Sequence, residues 1–276
     1  MILLDGQASD ALFLNDRGLT YGDGLFETIA LRDGRLLSWA AHIERLRQGC
    51  AVLELPPPVA AQLFDEATEV ARGHSRGIVK IMITRGSGGR GYRPPMAVRT
   101  CRIVAWHAWP ADLDAHDAEA VPTWLCHQRL GFNPQLAGIK HLNRLEQVLA
   151  SAEWPAPHYF EGLMQDFDGL LVEGTRSNVF VRREGQLLTP DLTRCGIAGI
   201  VRQALIDAAP RHNLKSLITS IAITNLTASD EIFICNSVFG VRVVARIDDG
   251  ANSLRVHNSG LCSELVQQLR ADDVIP

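Results

Sequence analysis

Apolar and polar positions change period several times along this chain, and each change marks an element. The opening "ILLDGQ" reads as a strand and a turn. After the glycine-rich loop "NDRGLTYGDG", the run "LFETIALRDGRLLSW" reads as a hairpin turning at Asp33-Gly34. From Ser38, an N-cap by residue type, the period becomes helical. Trp39, Ile43, Leu46, Cys50 and Leu53 share one face before Pro56-Pro57-Pro58 ends the run. The pattern then predicts a second helix from Val59 to Arg72, the strand "GIVKIMITR", a glycine-rich loop and the strand "CRIVAWHAW". "PADLDAHDAEA" has no apolar period and reads as a linker.

The second half opens with the strand "VPTWLCHQRL" and runs through "AGIKHLNRLEQVLA", where a helix is expected directly after Lys140, with Leu145, Val148, Leu149 and Ala152 on one side. "HYFEGLMQDFDGLLVEG" reads as a hairpin turning at Asp168-Gly169, and "SNVFVRREGQLLTP" as another. A helix over "GIAGIVRQALIDAA", two strands in "DEIFICNSVFGVRVVARI" and a closing amphipathic helix in "NSGLCSELVQQLR" follow. The fold class expected is α+β in two domains: 1–110, a linker at 111–118, and 119–276 carrying Lys140.

Composition narrows the function classes. A chain of 276 residues with 46% hydrophobic and 21% charged residues buries a full core without disulfides or metals. A net charge of -4 argues against a nucleic-acid partner. No run approaches a membrane-spanning helix, and the N-terminus has no basic segment of a signal peptide, so a cytoplasmic address is expected. Six scattered cysteines without a C-x-x-C pair or zinc spacing read as reduced thiols, with no metal site.

"GSGGRG" at 86–91 matches a dinucleotide fingerprint literally, but the next residues are Tyr92, Arg93, Pro94 and Pro95, which cannot open the required helix. The stretch reads instead as a loop in which Arg85, Arg90 and Tyr92 can hold a carboxylate, or as a plain surface hairpin loop. Lys140 has apolar flanks in Ala137, Gly138, Ile139 and Leu142, which disfavour an ammonium and favour a nucleophilic amine able to bond an aldehyde. If that aldehyde is pyridoxal phosphate, an acid for the pyridine nitrogen and an anion site are also required. Glu173 ends a mostly apolar strand, "CGIAGIVRQ" offers amides at a helix start, and Asn236-Ser237 offers a hydroxyl. Each also has an ordinary reading, as an edge glutamate, a helix cap and a turn; Arg45 alone reads as a surface arginine.

Together these residues resemble the fold-type IV pyridoxal-phosphate enzymes, which include branched-chain and D-amino acid aminotransferases and 4-amino-4-deoxychorismate lyase. The resemblance runs nearly end to end. It rests on "DRGLTYGDGLFET" (16–28), "HIERL" (42–46), "TRGSGGRGY" (84–92), "KHLNRLEQV" (140–148), "VEGTRSNVF" (172–180), "CGIAGIVRQ" (195–203) and "CNSVFGVR" (235–242), in the family's order. It implies a small α/β sandwich N-terminal domain, a larger β-barrel-like α/β C-terminal domain, and a homodimer.

By the same resemblance, Lys140 is the Schiff-base lysine and Glu173 the partner of the pyridine nitrogen. Arg45, the amides of Ile197 and Ala198, and Ser237 hold the phosphate, and Tyr159 matches a phenol near the 3-oxygen. Arg85, Arg90, Tyr92, Asn236 and Thr28 are implied to contact substrate. "KHLNRLEQV", "RGSGGRGY" and Thr28 look like the family's lyase, which forms 4-aminobenzoate and pyruvate in folate biosynthesis, with Thr28 or Lys140 giving a proton to the leaving oxygen. An aminotransferase of the same family is the alternative, and a non-catalytic binding protein on this fold the reading outside enzymes.

Overall fold

The computed structural model describes residues 1–89, 91–111, 113, 120–154, 158–227, 231–256 and 262–276. They form two units, Met1–Trp109 with Ile139–Asn143, and Pro110–Gly138 with Arg144–Pro276. Lys140, expected in the C-terminal domain, therefore belongs to the first unit. Of the expected linker, 112 and 114–118 lie outside the described residues, while Leu113 is buried and its carbonyl accepts from Arg242.

In the first unit, β1 (Ile2–Leu4), β2 (Gln7–Ala8), β3 (Gly24–Arg32), β4 (Arg35–Leu36), β5 (Arg76–Thr84) and β6 (Cys101–His107) form one antiparallel sheet ordered β2-β1-β6-β5-β3-β4. The β3–β4 hairpin turns at Asp33 and Gly34, both at positive φ, as its aspartate-glycine pair predicts. Helices α1 (Arg17–Tyr21), α2 (Trp39–Val52) and α3 (Ala60–Ala71) complete the unit. Alternation along β3 buries Leu25, Glu27, Ile29 and Leu31 and leaves Phe26 and Thr28 half-buried on the other face. Ile43, Leu46 and Cys50, on the buried side of α2, belong to this unit's core; truncating Leu46 to Ala would cost about 2–5 kcal/mol.

Residues 139–143 are not helical. His141 pairs with Leu25, Phe26 N–H donates to the Lys140 carbonyl at 3.0 Å, and Leu142 N–H donates to the Gly24 carbonyl at 3.0 Å. This strand-like attachment to β3 delays the expected helix to α4 (Leu145–Ser151). Close approach requires Gly24: a Cβ there would lie 2.4 Å from the Ile83 carbonyl oxygen and 2.9 Å from Leu142 Cδ1.

The second unit holds β7 (Val121–Leu130), β8 (Glu161–Asp166), β9 (Leu170–Gly174), β10 (Asn178–Arg183), β11 (Gln186–Pro190), β12 (Lys215–Thr219), β13 (Ile221–Ala222), β14 (Glu231–Asn236), β15 (Gly240–Asp248) and β16 (Ser253–Arg255). Their order is β12-β11-β10-β14-β15-β7-β8-β9-β13, with β16 on β15, and β9 also lies against β10 so that the sheet curls on itself. The β7–β8, β7–β15 and β11–β12 pairs are parallel. Helices α5 (Ile200–Ala208) and α6 (Cys262–Ala271) cover a core in which Phe180 and Phe233 stack at 5.2 Å among Val201, Leu205, Leu265 and Leu269.

Helix α4 sits the other way round. Its apolar positions Leu145, Val148 and Leu149 are 76%, 61% and 58% exposed, and it buries Gln147 and Ala150 instead.

Candidate active site

In the first unit the half-buried face of β3 carries the candidate amine. Lys140 Nζ lies 4.2 Å from the centroid of the Phe26 ring. Lys80, whose Cα pairs with that of Thr28 across β3 and β5, places its own Nζ 5.5 Å from the same ring. An aromatic face attracts ammonium groups through its quadrupole. Phe26, Thr28, Lys80 and Lys140 thus share one surface. Lys80 is a residue that sequence reasoning passed over, although its register opposite Thr28 follows from the β3–β5 pairing.

On the buried face of the same strand, Glu27 is fully enclosed by α2. Arg45 Nε donates to Glu27 Oε1 at 2.8 Å and Nη2 to Oε2 at 2.5 Å, while His42 Nδ1 lies 2.7 Å from Oε2. Burial alone would raise the Glu27 carboxyl, but the Arg45 charge and the His42 and Arg45 hydrogen bonds hold it down at about 2. Arg45 is consequently no surface residue; its side chain is 12% exposed. A glutamate in an apolar slot of β3, with His42 and Arg45 one helical turn apart, was the sequence signal for this group.

In the second unit Glu173 is 3% exposed on β9. The Ile197 N–H donates to its Oε2 at 2.7 Å, and Gln147 Nε2 stands 3.5 Å from Oε1. Burial pushes the nearby Arg144 guanidinium below its usual range, against the charges of Glu173 and Glu146. The loop before α5 reaches the acid through Gly196, at φ +87, where a Cβ would lie 2.8 Å from Leu192 Cδ2 and 3.3 Å from Glu173 Oε2.

Several expected roles meet different geometry. The amides of Ile197 and Ala198, expected to receive a phosphate, donate instead to Glu173 and to the Gly138 carbonyl, the second of these bonds belonging to the parallel β-bridge of Gly138 with Ile197. Arg85, expected at the substrate, is buried: its Nε donates to Asp23 Oδ2 at 2.8 Å and its Nη2 to the Leu53 carbonyl at 2.7 Å, so it ties down the end of α2. Asn236 caps the β14–β15 turn, its Oδ1 accepting from Val238 and Phe239 and its Nδ2 donating to the Arg176 carbonyl. Tyr159 packs edge-on to Trp124 at 5.3 Å beside Arg246 and lines a surface depression with Asp248, Asn252 and Ser253. Ser237 lies in the β14–β15 turn, half-buried.

Tyr92 is 85% exposed and meets Tyr21 at 5.4 Å; Arg90 lies outside the described residues. Arg17, buried and paired with Asp23, holds this loop by donating to the carbonyls of Gly91 and Tyr92. Burial pushes the Cys50 thiol up to about 11 and those of Cys101 and Cys195 to about 12, which makes all three poor nucleophiles. Among the described residues no group of His, Cys, Asp and Glu could hold a metal ion.

The model of the amino-transferase class IV family matches residues 24–247. An aminodeoxychorismate lyase of Vibrio harveyi is 32% identical over 254 residues, covering 92% of this chain and 94% of the relative. The crystal structure of 4-amino-4-deoxychorismate lyase from Pseudomonas aeruginosa superposes with a TM-score of 0.91 at 39% identity, covering 100% of both chains. Escherichia coli branched-chain amino acid aminotransferase shares the fold, with a TM-score of 0.84 at 22% identity over 99% of this chain and 94% of that one. With its α+β units, its Lys140 surface and a family match over most of its length, the chain belongs to the class IV aminotransferase family.

Proposed function

We propose that the protein is a pyridoxal-phosphate-dependent lyase that converts 4-amino-4-deoxychorismate to 4-aminobenzoate and pyruvate. The observation that carries this reading is the Phe26 surface, where the Lys140 amine and a second ammonium, Lys80, accompany the hydroxyl-bearing strand position of Thr28. An amine, a proton donor and a cation for a dicarboxylate substrate are the groups the reaction needs. The Vibrio and Pseudomonas relatives, both named as this lyase, support it.

The residues present fit the cofactor. Glu173 is a buried acid held by a backbone amide, and the neighbouring Gln147 Oε1 is a buried acceptor with no hydrogen-bond partner among the described residues. Lys140 would hold the aldehyde, Glu173 the protonated ring nitrogen, and Arg45 and Ser237 the phosphate, with the first-turn amides of α5 taking the place of Ile197 and Ala198. When bound, pyridoxal phosphate supplies an electron sink. Once the substrate's 4-amino group has taken its place on the aldehyde, the freed Lys140 amine would remove the proton at C4 of the substrate. Thr28 would give a proton to the enolpyruvyl ether oxygen as its bond to the ring breaks and regain one from the Lys140 ammonium, so that pyruvate leaves and the ring becomes aromatic. Lys80 holds a substrate carboxylate against the Phe26 surface, and Tyr92 and Arg90 remain the loop's candidates for the other.

Incubation with 4-amino-4-deoxychorismate should yield 4-aminobenzoate and pyruvate, and Lys140→Ala should abolish both products together with the cofactor's absorption band. Glutamate formed from an amino donor and 2-oxoglutarate, with no 4-aminobenzoate, would instead establish the aminotransferase alternative. A cytoplasmic homodimer belongs to the same proposal. The outward apolar face of α4 supports the dimer, and a sedimentation mass of one chain would refute it.

A further inference from the structure

Helix α2 presents His42 and Arg45 one turn apart, and both address Glu27. An ionised carboxylate only accepts hydrogen bonds, so the 2.7 Å contact puts a proton on His42 Nδ1. A charged imidazole would also need an acceptor for Nε2–H, and the buried Nε2 has no partner among the described residues. Burial lowers the affinity of the ring for a second proton. Glu27 on β3 opposes that, and the charges of Arg45 on the same helix and Lys140 on 139–143 add to it. His42 is therefore the neutral, Nδ1-protonated tautomer.

We infer that His42 is a positioning residue for Arg45, its Nδ1–H bond fixing the Glu27 carboxylate whose plane orients the guanidinium toward a phosphate. The inference rests on the reading of Arg45 as a phosphate ligand. A guanidinium bound through Nε and Nη2 takes its orientation from the carboxylate it grips, and a second donor on Oε2 stops that carboxylate from turning about its Cγ–Cδ bond. His42 thereby acts on the anion end of a ligand and leaves the aldehyde end to Lys140.

The test compares purified holoenzymes of wild type, His42→Gln, His42→Asn and Arg45→Gln, measuring dissociation constants for pyridoxal phosphate and for pyridoxal, which lacks the phosphate. The Asn amide stands where Nδ1 stood, whereas the Gln amide reaches the place of Nε2. His42→Gln is expected to weaken pyridoxal phosphate about tenfold while leaving pyridoxal unchanged, and His42→Asn to restore binding to within about twofold. Wild-type affinity in His42→Gln, no rescue by Asn, or an equal loss for pyridoxal would overturn the positioning role. If Arg45→Gln leaves the ratio of the two constants unaltered, the arginine assignment itself fails; if it collapses the ratio while His42→Gln preserves it, only the inference about His42 falls. Nitrogen NMR of the wild-type ring at neutral pH provides a readout independent of any variant's folding. A neutral Nδ1–H pattern is expected, and an imidazolium or an Nε2–H tautomer would overturn the inference.

Discussion

Glu27 and Glu173 are both buried glutamates on strands, one in each unit, and their partners differ in kind. Glu27 has both oxygens gripped by a guanidinium and one also by an imidazole. Glu173 receives a backbone N–H and a long contact from a neutral amide. A carboxylate matched to a buried cation is part of the fold, because removing it leaves that cation uncompensated. Both are almost fully buried, so the contrast lies in the donors they meet, and on the proposed function Glu173 is the acid that faces the cofactor.

Exchange of each acid for its amide sharpens this contrast. Glu173→Gln should lower kcat/KM for 4-aminobenzoate formation roughly 10^4-fold, about 5.5 kcal/mol, with little change in the urea midpoint. Equal losses of stability and activity would erase the distinction. Glu27→Gln should do the reverse first, costing about 3–5 kcal/mol in urea denaturation because Arg45 stays buried without its counter-charge.

Acid offers a gentler form of the same experiment. The Glu27 carboxyl lies at about 2 against an ordinary 4.5, so its contribution to stability is present above 4.5 and is lost as pH falls toward 2, amounting to about 3 kcal/mol. Glu161 in the second unit has the opposite sign. Burial raises its carboxyl despite Arg176 and donors from Thr175, Ser177 and Gly162, so it stabilises the fold in acid and ceases to do so as pH rises through its raised value. Glu27→Gln should flatten the acid limb of the stability profile, whereas Glu161→Gln should steepen it. The smallest expected effect is that of Gln147→Leu, which removes the amide beside Glu173: about a fivefold rise in the pyridoxal phosphate dissociation constant, near 1 kcal/mol, read by cofactor titration.

Much of the fold was legible because its signals are local. The Asp33-Gly34 turn, the alternation of β3 and the helical period after Ser38 depend only on neighbours in the chain. The departures occur where a distant partner decides. Arg85 looked like an available cation until Asp23 and the end of α2 claimed it. Ile197 and Ala198 looked like donors for a phosphate, but the Glu173 carboxylate accepts from the first and the Gly138 carbonyl from the second. The pattern Leu145, Val148 and Leu149 reads as a core face, yet α4 turns it outward, since periodicity identifies a helix's apolar side without saying what covers it. Lys140 could be singled out from its flanks, but the Phe26 ring and Lys80 beside it depended on strand register.

The attachment of residues 139–143 to β3 also bears on how this sequence can drift. Two hydrogen bonds that seat the lysine, from the Phe26 N–H to the Lys140 carbonyl and from the Leu142 N–H to the Gly24 carbonyl, run from main chain to main chain, so neither is lost by a change of side chain. Such bonds tolerate exchange of the side chains they join, whereas the backbone is constrained at Gly24, where any side chain would strike the Ile83 carbonyl, and at Gly138, whose φ is +82.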